Sequence, residues 1–468
     1  MAYTEFYMNA STGSNVNAGD NTANGIVTST NGAWSTVTNI FTATSGTPFS
    51  GVTVGDFASL YSDGGTASVY IARVTEVGVG GLTLTLDTTA KAGTAPTTAA
   101  VGITCTTGGV WKGPNAASSF PFSLTTIGSL KNVAGNFPRF NMKNNATYNV
   151  TAAVTSASAG PYAIEGYTTT VGDGGRFTLD GGTSGASYAL LTISGANVSL
   201  LSGIIQNNGA TGSATGLTVS TGGVEALLFN IVVNNMRGHG FDVDSTLSIV
   251  TSCEAYLCNT SNTSLKSGFL LSGDGSIASN CISHNNAGSN SHGFYITDSA
   301  SVHNCISDTN GGTGLYCNQD KLQSITNCVF YGNASDGVRF ANASTQLCYV
   351  TNSVFVSNGG WGVNGSGAGS RSGMLKNCAF LSNTSGAATG LSGIVETGSV
   401  TLTGDPFTDA ANGDFTMNNT AGAGDDCRNA GTGVFTQTQE SYTGTVSYPD
   451  IGATQQTGTS EKSFTYIG

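Results

Sequence analysis

Two carboxylates spaced two residues apart on an extended strand project from the same face. A pair held that way can divide acid and base roles or grip a hard cation. Asp242 and Asp244 have this spacing, with Arg237 and His239 just before them. The next copy of the same sequence frame has Leu270 and Ser272 at the matching offsets, so the acids do not continue into a cluster. The balance favours solvated outward acids over a catalytic pair, and Asp298, Asp308, Asp336 and Arg339 fall in later turns. His239 and His292 lie two repeats apart, roughly 10 Å by strand spacing, too far to share a metal. His284 and His303 are isolated. No metal and no cofactor is expected. There is no Gly-x-Ser-x-Gly elbow and no phosphate loop, so the glycine-rich runs read as turns.

Two further sets of residues recur at a regular interval. Cys253, Cys281, Cys305, Cys328 and Cys378 lie a whole repeat apart, with no Cys-x-x-Cys pair. They read as small inward-facing apolar side chains. Tyr256, Tyr295, Tyr316, Tyr331 and Trp361 come from successive repeats. Aromatic side chains beside Asn and Ser suit sugars by stacking and hydrogen bonding. Tyr295, Tyr316, Tyr331 and Trp361 are therefore the candidate binding residues, against the alternative that flanking loops cover them.

The element that positions these residues is an internal repeat. Asn377-Cys378-Ala379-Phe380 matches Asn327-Cys328-Val329-Phe330, and the frame also fits Asn352-Ser353, Asn304-Cys305, Asn280-Cys281, Ser252-Cys253, Asn230-Ile231 and Ser202-Gly203. The second positions fall at 203, 231, 253, 281, 305, 328, 353 and 378. Each copy continues to a Gly followed by an apolar residue, from Gly216-Leu217 to Gly390-Leu391. A period near 25 residues holds three short strands and three turns. Each strand is too short to stand alone, so coils must stack and pair in parallel, with like residues forming ladders. Asn280, Asn304, Asn327, Asn352 and Asn377 form one such structural ladder, suited to left-handed backbone. A second Asn recurs six positions later, at Asn286, Asn310, Asn333, Asn358 and Asn383. Stacked amides there can hydrogen-bond along the ladder.

These repeats resemble the right-handed parallel β-helix repeats of the pectate-lyase-like superfamily over roughly residues 125–455. The resemblance implies an all-β solenoid of about eleven or twelve coils of about 25 residues. That superfamily includes lyases, hydrolases, phage tailspikes and non-catalytic adhesins, so the likeness bears on fold more than on chemistry. Residues 1–118 are expected to hold an opening strand and a small β-subdomain at about 50–105, serving attachment or capping. Residues 119–400 form the helix, and 401–468 the last coils and a cap.

Composition narrows the function. Only 9% of the 468 residues are charged, while 38% are hydrophobic and 67 are Gly. That is too apolar for a disordered chain and rich in turn formers. A net charge of -12 with 15 scattered basic residues argues against nucleic-acid binding. No apolar run is long enough to span a bilayer as a helix. The opening MAYTEFYMNASTGS has neither a basic nor an apolar leader segment, so folding in a host cytoplasm is expected. The leading expectation is a non-enzymatic structural protein on a virion surface, as a phage spike, fibre or capsid-attached decoration. Its expected partners are capsid, baseplate or tail proteins through the N-terminal region, and surface glycans. It is expected to be a homo-oligomer, a trimer by resemblance to tailspikes. The alternatives are a polysaccharide lyase or glycoside hydrolase, and a bacterial surface adhesin.

Overall fold

In a computed structural model the described residues are 3–8, 27–62, 69–92, 95–96, 100–107, 137–145, 147–150, 153–156, 161–182, 188–208, 214–262, 265–318, 321–341, 346–365, 371–390, 394–428, 430–431 and 451–452. The expected boundary at 118/119 and most of the passage after 431 lie outside them. Two compact units divide at Ser261/Asn262.

In the first unit, Tyr3–Met8 pairs in parallel with Phe137–Lys143, which pairs with Tyr162–Tyr167. Phe6, Phe140, Ile164, Leu200, Leu228 and Val250 fall in one interior column, rung upon rung, and all are buried. At about 25 cal/mol per Å² of apolar area removed from water, such columns supply most of the driving force for stacking. A second sheet stacks Val154, Leu191, Leu217 and Phe241 inward and Thr155, Thr192, Thr218 and Asp242 outward. The opening strand is further tied by Arg139, which bridges Glu5 at 2.6 Å and Glu165 at 3.2 Å across three successive strands.

Between the first two rungs the chain detours into a closed antiparallel barrel. Its strands, in order around the barrel, are Val27–Ser35, Ile40–Thr42, Thr83–Ala92, Val69–Val77, Phe57–Ser62 and Ala100–Thr107. Its core packs Trp34 against Tyr70, with Phe41, Leu60, Val74, Leu84 and Ile103. Phe57 meets Phe6 edge-on with ring centroids 5.0 Å apart, so the barrel packs on the first rung. The subdomain expected at 50–105 thus also takes in the strands at 27–42.

The second unit has three parallel sheets. Its rungs turn corners on single left-handed residues: Asn280, Asn304, Asn327, Asn352 and Asn377 have φ of 54, 52, 54, 51 and 49°. Asn tolerates this conformation better than other non-glycine residues. Five residues further on, Asn285, Thr309, Gly332, Ser357 and Ser382 repeat it. The next residue in each copy is the second Asn, and here the amides form the buried ladder. Asn286, Asn310, Asn333 and Asn358 each donate from Nδ2 to the Oδ1 of the next Asn, at 2.7, 2.9, 3.0 and 2.8 Å. Phe330, Phe355 and Phe380 stack beside it at 5.1 Å intervals.

All ten cysteines are buried and none forms a disulfide. Each ladder thiol sits against a carbonyl two residues back, as Cys328 does on Thr326 O at 3.3 Å. Burial pushes the Cys378 thiol up to about 12, so it stays neutral and unreactive at ordinary pH.

The final rung changes character. The interior columns Val350–Leu375 and Phe355–Phe380 end on Glu396 and Thr401, both exposed. A polar last rung lets the stack stop without leaving an apolar face in water. The chain then turns back along the side. Leu402, Phe407, Phe415, Met417, Cys427 and Ile451 pack on the outward residues Val329, Val354, Val356 and Ala379. The solenoid has about nine turns of roughly 25 residues.

Candidate functional site

The sheet formed by Ser267–Leu271, His292–Ile296, Leu315–Cys317, Val338–Phe340, Trp361–Asn364 and Gly386–Thr389 points alternate residues away from the coil interior, although Tyr295 and Asn364 are themselves buried. Parallel register places Leu270, Tyr295, Tyr316, Arg339, Asn364 and Thr389 in one outward column. Two of the four expected binding residues, Tyr295 and Tyr316, are thereby neighbours. Their rings meet edge-on at 5.5 Å.

Tyr316 is the centre of the cluster. His292 stacks on it at 4.6 Å with planes 15° apart, and the Arg339 guanidinium lies 6.0 Å from the ring centroid. A guanidinium held over an aromatic ring keeps its outer N–H groups for a ligand. The Tyr295 hydroxyl accepts a 3.3 Å hydrogen bond from Asn318 Nδ2. Because its neighbours occupy the Tyr316 ring, the surface offers a ligand the guanidinium N–H groups of Arg339 beside the half-buried Tyr316 rather than the open ring face expected for sugar stacking.

His292 is held by the next coil. Its Nδ1 accepts from the Thr313 N–H at 3.1 Å, which leaves the neutral ring's proton on Nε2, buried without a partner. Burial, then the charge of Arg339, pulls its pKa down from 6.5 to about 4. The ring is therefore neutral at physiological pH and adds no charge beside Arg339.

Trp361 begins the strand that ends on Asn364, and both lean on one buried acid. The Asp336 carboxylate accepts from the Trp361 N–H at 2.8 Å and from Asn364 Nδ2 at 2.9 Å. A Cβ at Gly360 would lie 2.4 Å from Asp336 Oδ1, so glycine is required there. The Trp361 ring lies over Gly386, where a Cβ would come within 2.8 Å of it. The sequence places Asp336 only in a turn. Its anchoring role depends on the rung above.

Tyr331 belongs to another sheet. Its ring lies 6.0 Å from Phe407 and 5.6 Å from Phe415, under the returning C-terminal segment. In the same register it is the third member of an outward column with His284 and Asp308. Burial raises the Asp308 carboxyl above its usual range, opposed by the Thr309 side chain and by His284. His284 and Asp308 each fall three residues past a frame cysteine, Cys281 and Cys305, so the repeat itself aligns them, and the reading of His284 as isolated missed it.

In the first unit, Asp242 points outward beside Thr218, and Asp244 is exposed where the strand ends. Tyr256 lies on the short strand Glu254–Tyr256, half-buried. Among the described residues no group of three or more His, Cys, Asp and Glu is placed to hold a metal ion.

No family model and no curated protein sequence matches the chain. Among solved structures, pectate lyase Pel9A superposes with a TM-score of 0.53 at 18% identity, covering 73% of this chain and 92% of its own. The fold is a right-handed parallel β-helix. The A-module of the Azotobacter vinelandii mannuronan C-5 epimerase AlgE4 follows at a TM-score of 0.40 and 16% identity, over 56% of this chain and 83% of that one. Dettilon tailspike protein aligns at 0.31 and 12%, over 60% of this chain and 59% of its own. At these identities the likeness speaks to the β-helix and not to what it does.

Proposed function

We propose that this β-helix is a binding protein of a virus particle's surface that holds anionic glycans without cleaving them. The observation that carries the binding is the outward column Tyr295–Tyr316–Arg339–Asn364. It sets one exposed guanidinium beside the half-buried Tyr316, between the buried Tyr295 and Asn364, on a chain whose net charge of -12 otherwise repels anions. Arg matches carboxylate or sulfate groups with two parallel hydrogen bonds. The column carries no carboxylate, so it lacks the paired acids by which most glycoside hydrolases divide acid and base roles.

What supports the particle surface is composition and build. A coat with only 9% charged residues, on a solenoid braced by amide ladders, suits a rigid exposed shaft. On this reading the barrel at 27–107 faces the capsid, baseplate or tail. Mass spectrometry of purified particles, paired with imaging, tests that placement through fixed stoichiometry with a major capsid protein.

Titration of the full chain with anionic and neutral oligosaccharides tests the binding. Anionic chains should bind, and Arg339→Ala should weaken them at least tenfold with an unchanged melting temperature. Binding that ignores Arg339→Ala, or none to any anionic chain, defeats the proposal. A second reading, cleavage of a polysaccharide, has the His284–Asp308 column in its favour. Release of reducing ends that disappears in Asp308→Asn would establish it.

A further inference from the structure

The third sheet of the second unit has an outward surface that neither the chain nor the binding column explains. Its strands are Ser276–Ser279, Ala300–His303, Leu322–Thr326, Gln346–Thr351, Arg371–Lys376 and Ile394–Thr397. Register aligns Ile277, Ser301, Ser324, Tyr349, Met374 and Val395 in one outward column. Leu322 and Leu347 pair in the adjacent column. Leu322 is 47% exposed, Leu347 43%, Tyr349 38% and Val395 62%. Large apolar side chains gathered over successive rungs of one face mark an interaction surface, whereas single ones do not.

The same rungs show what this fold does with such a stripe. On the neighbouring sheet, the outward residues Val329, Val354 and Ala379 lie under Phe407, Phe415, Met417 and Ile451. The Leu322–Val395 stripe has no such cover among the described residues.

We propose that this stripe is where a second copy of the chain docks, face to face. Two chains of net charge -12 repel, and the column from Ile277 to Val395, with Leu322 and Leu347 beside it, contains no carboxylate to add to that repulsion. What favours a copy over an unrelated partner is pitch. Each rung advances by the strand spacing of roughly 4.8 Å, so a copy's ladder meshes with this one at every rung. A surface without that repeat matches it at one rung only. A strip of five or so rungs and two columns is small beside the roughly 800 Å² per partner of a standard interface. Association should therefore depend on concentration. The inference is independent of the glycan column, which lies on another sheet.

The test is analytical ultracentrifugation of the full chain over a concentration series up to about 0.1 mM, a range that detects weak pairing. The wild type should self-associate. Leu347→Glu and Tyr349→Glu, which point outward and leave the interior columns intact, should each weaken association at least tenfold with unchanged circular dichroism. Ile282→Glu, an exposed apolar position on the covered-face sheet, should leave association as it is. A wild type that stays monomeric throughout overturns the proposal and leaves the stripe to another occupant. Association that survives both glutamates also overturns it, by placing the contact elsewhere.

Discussion

The second unit carries apolar residues outward on two of its sheets and treats them differently. Val329, Val354, Val356 and Ala379 are buried beneath a segment of the same chain. Leu322, Leu347, Tyr349 and Val395, contributed by the same rungs, stay exposed. In sequence each stripe is a set of apolar residues on short strands that flank the same Asn corners. An outward apolar residue here therefore reports that something covers it, and says nothing of whether the cover belongs to the same chain.

The sharpest way to break that comparison is a charge on each face. Val354→Asp places a carboxylate where Met417 and Ile451 close over the sheet. Burying it unpaired should cost about 4 kcal/mol or release the C-terminal segment. Thermal melting and limited proteolysis near residue 402 will read either outcome. Val395→Asp, on the open face, should leave stability within about 0.5 kcal/mol. Equal effects at both positions would erase the distinction.

The binding column is set apart from both stripes by a buried histidine, and pH exposes the difference. The His292 pKa is lowered from 6.5 to about 4 in the folded state, so the unfolded chain binds that proton more readily. The stability from keeping the ring neutral is complete above pH 6.5 and is lost as pH falls toward about 4. The full loss is about 3 kcal/mol at 1.36 kcal/mol per pKa unit. His292→Gln should flatten that part of a stability–pH curve measured by chemical denaturation. A curve that keeps its acid slope would assign the loss to other groups.

The two asparagine columns form a second pair for comparison. Asn333→Ala removes an amide that links Asn310 to Asn358 and should cost about 2 kcal/mol by leaving buried partners unsatisfied. Asn327→Gly keeps the left-handed corner at φ 54° and should be close to neutral. Equilibrium unfolding of both variants will show whether hydrogen bonds or backbone conformation dominate each column. The change at Arg339 should be felt in binding alone. Its removal should leave stability alone and cost about 1.4 kcal/mol of anionic-glycan affinity, the tenfold change named above.

Much of this was legible in the chain itself, because a solenoid writes its period into the sequence. Residues that stack in space recur about one coil apart, so the Asn corners, the amide ladder and the inward cysteines could be placed by counting. Local chemistry reinforces the count: Asn accepts a left-handed corner, and Phe or Val must fill an interior position. Tertiary structure alone decided what lies outside the coil and which distant residues meet. The pairing of Tyr3–Met8 with Phe137–Lys143 across an inserted barrel follows no local rule. Nor does the return of Phe407 and Phe415 over Tyr331. The meeting of Tyr295 with Tyr316, and with it the stacking of His292, depends on loop lengths that shift register between coils. The repeat is a local instruction, written within one coil. Those contacts depend on how a coil meets its neighbour or a segment folding back, which is settled only when whole faces compete for burial.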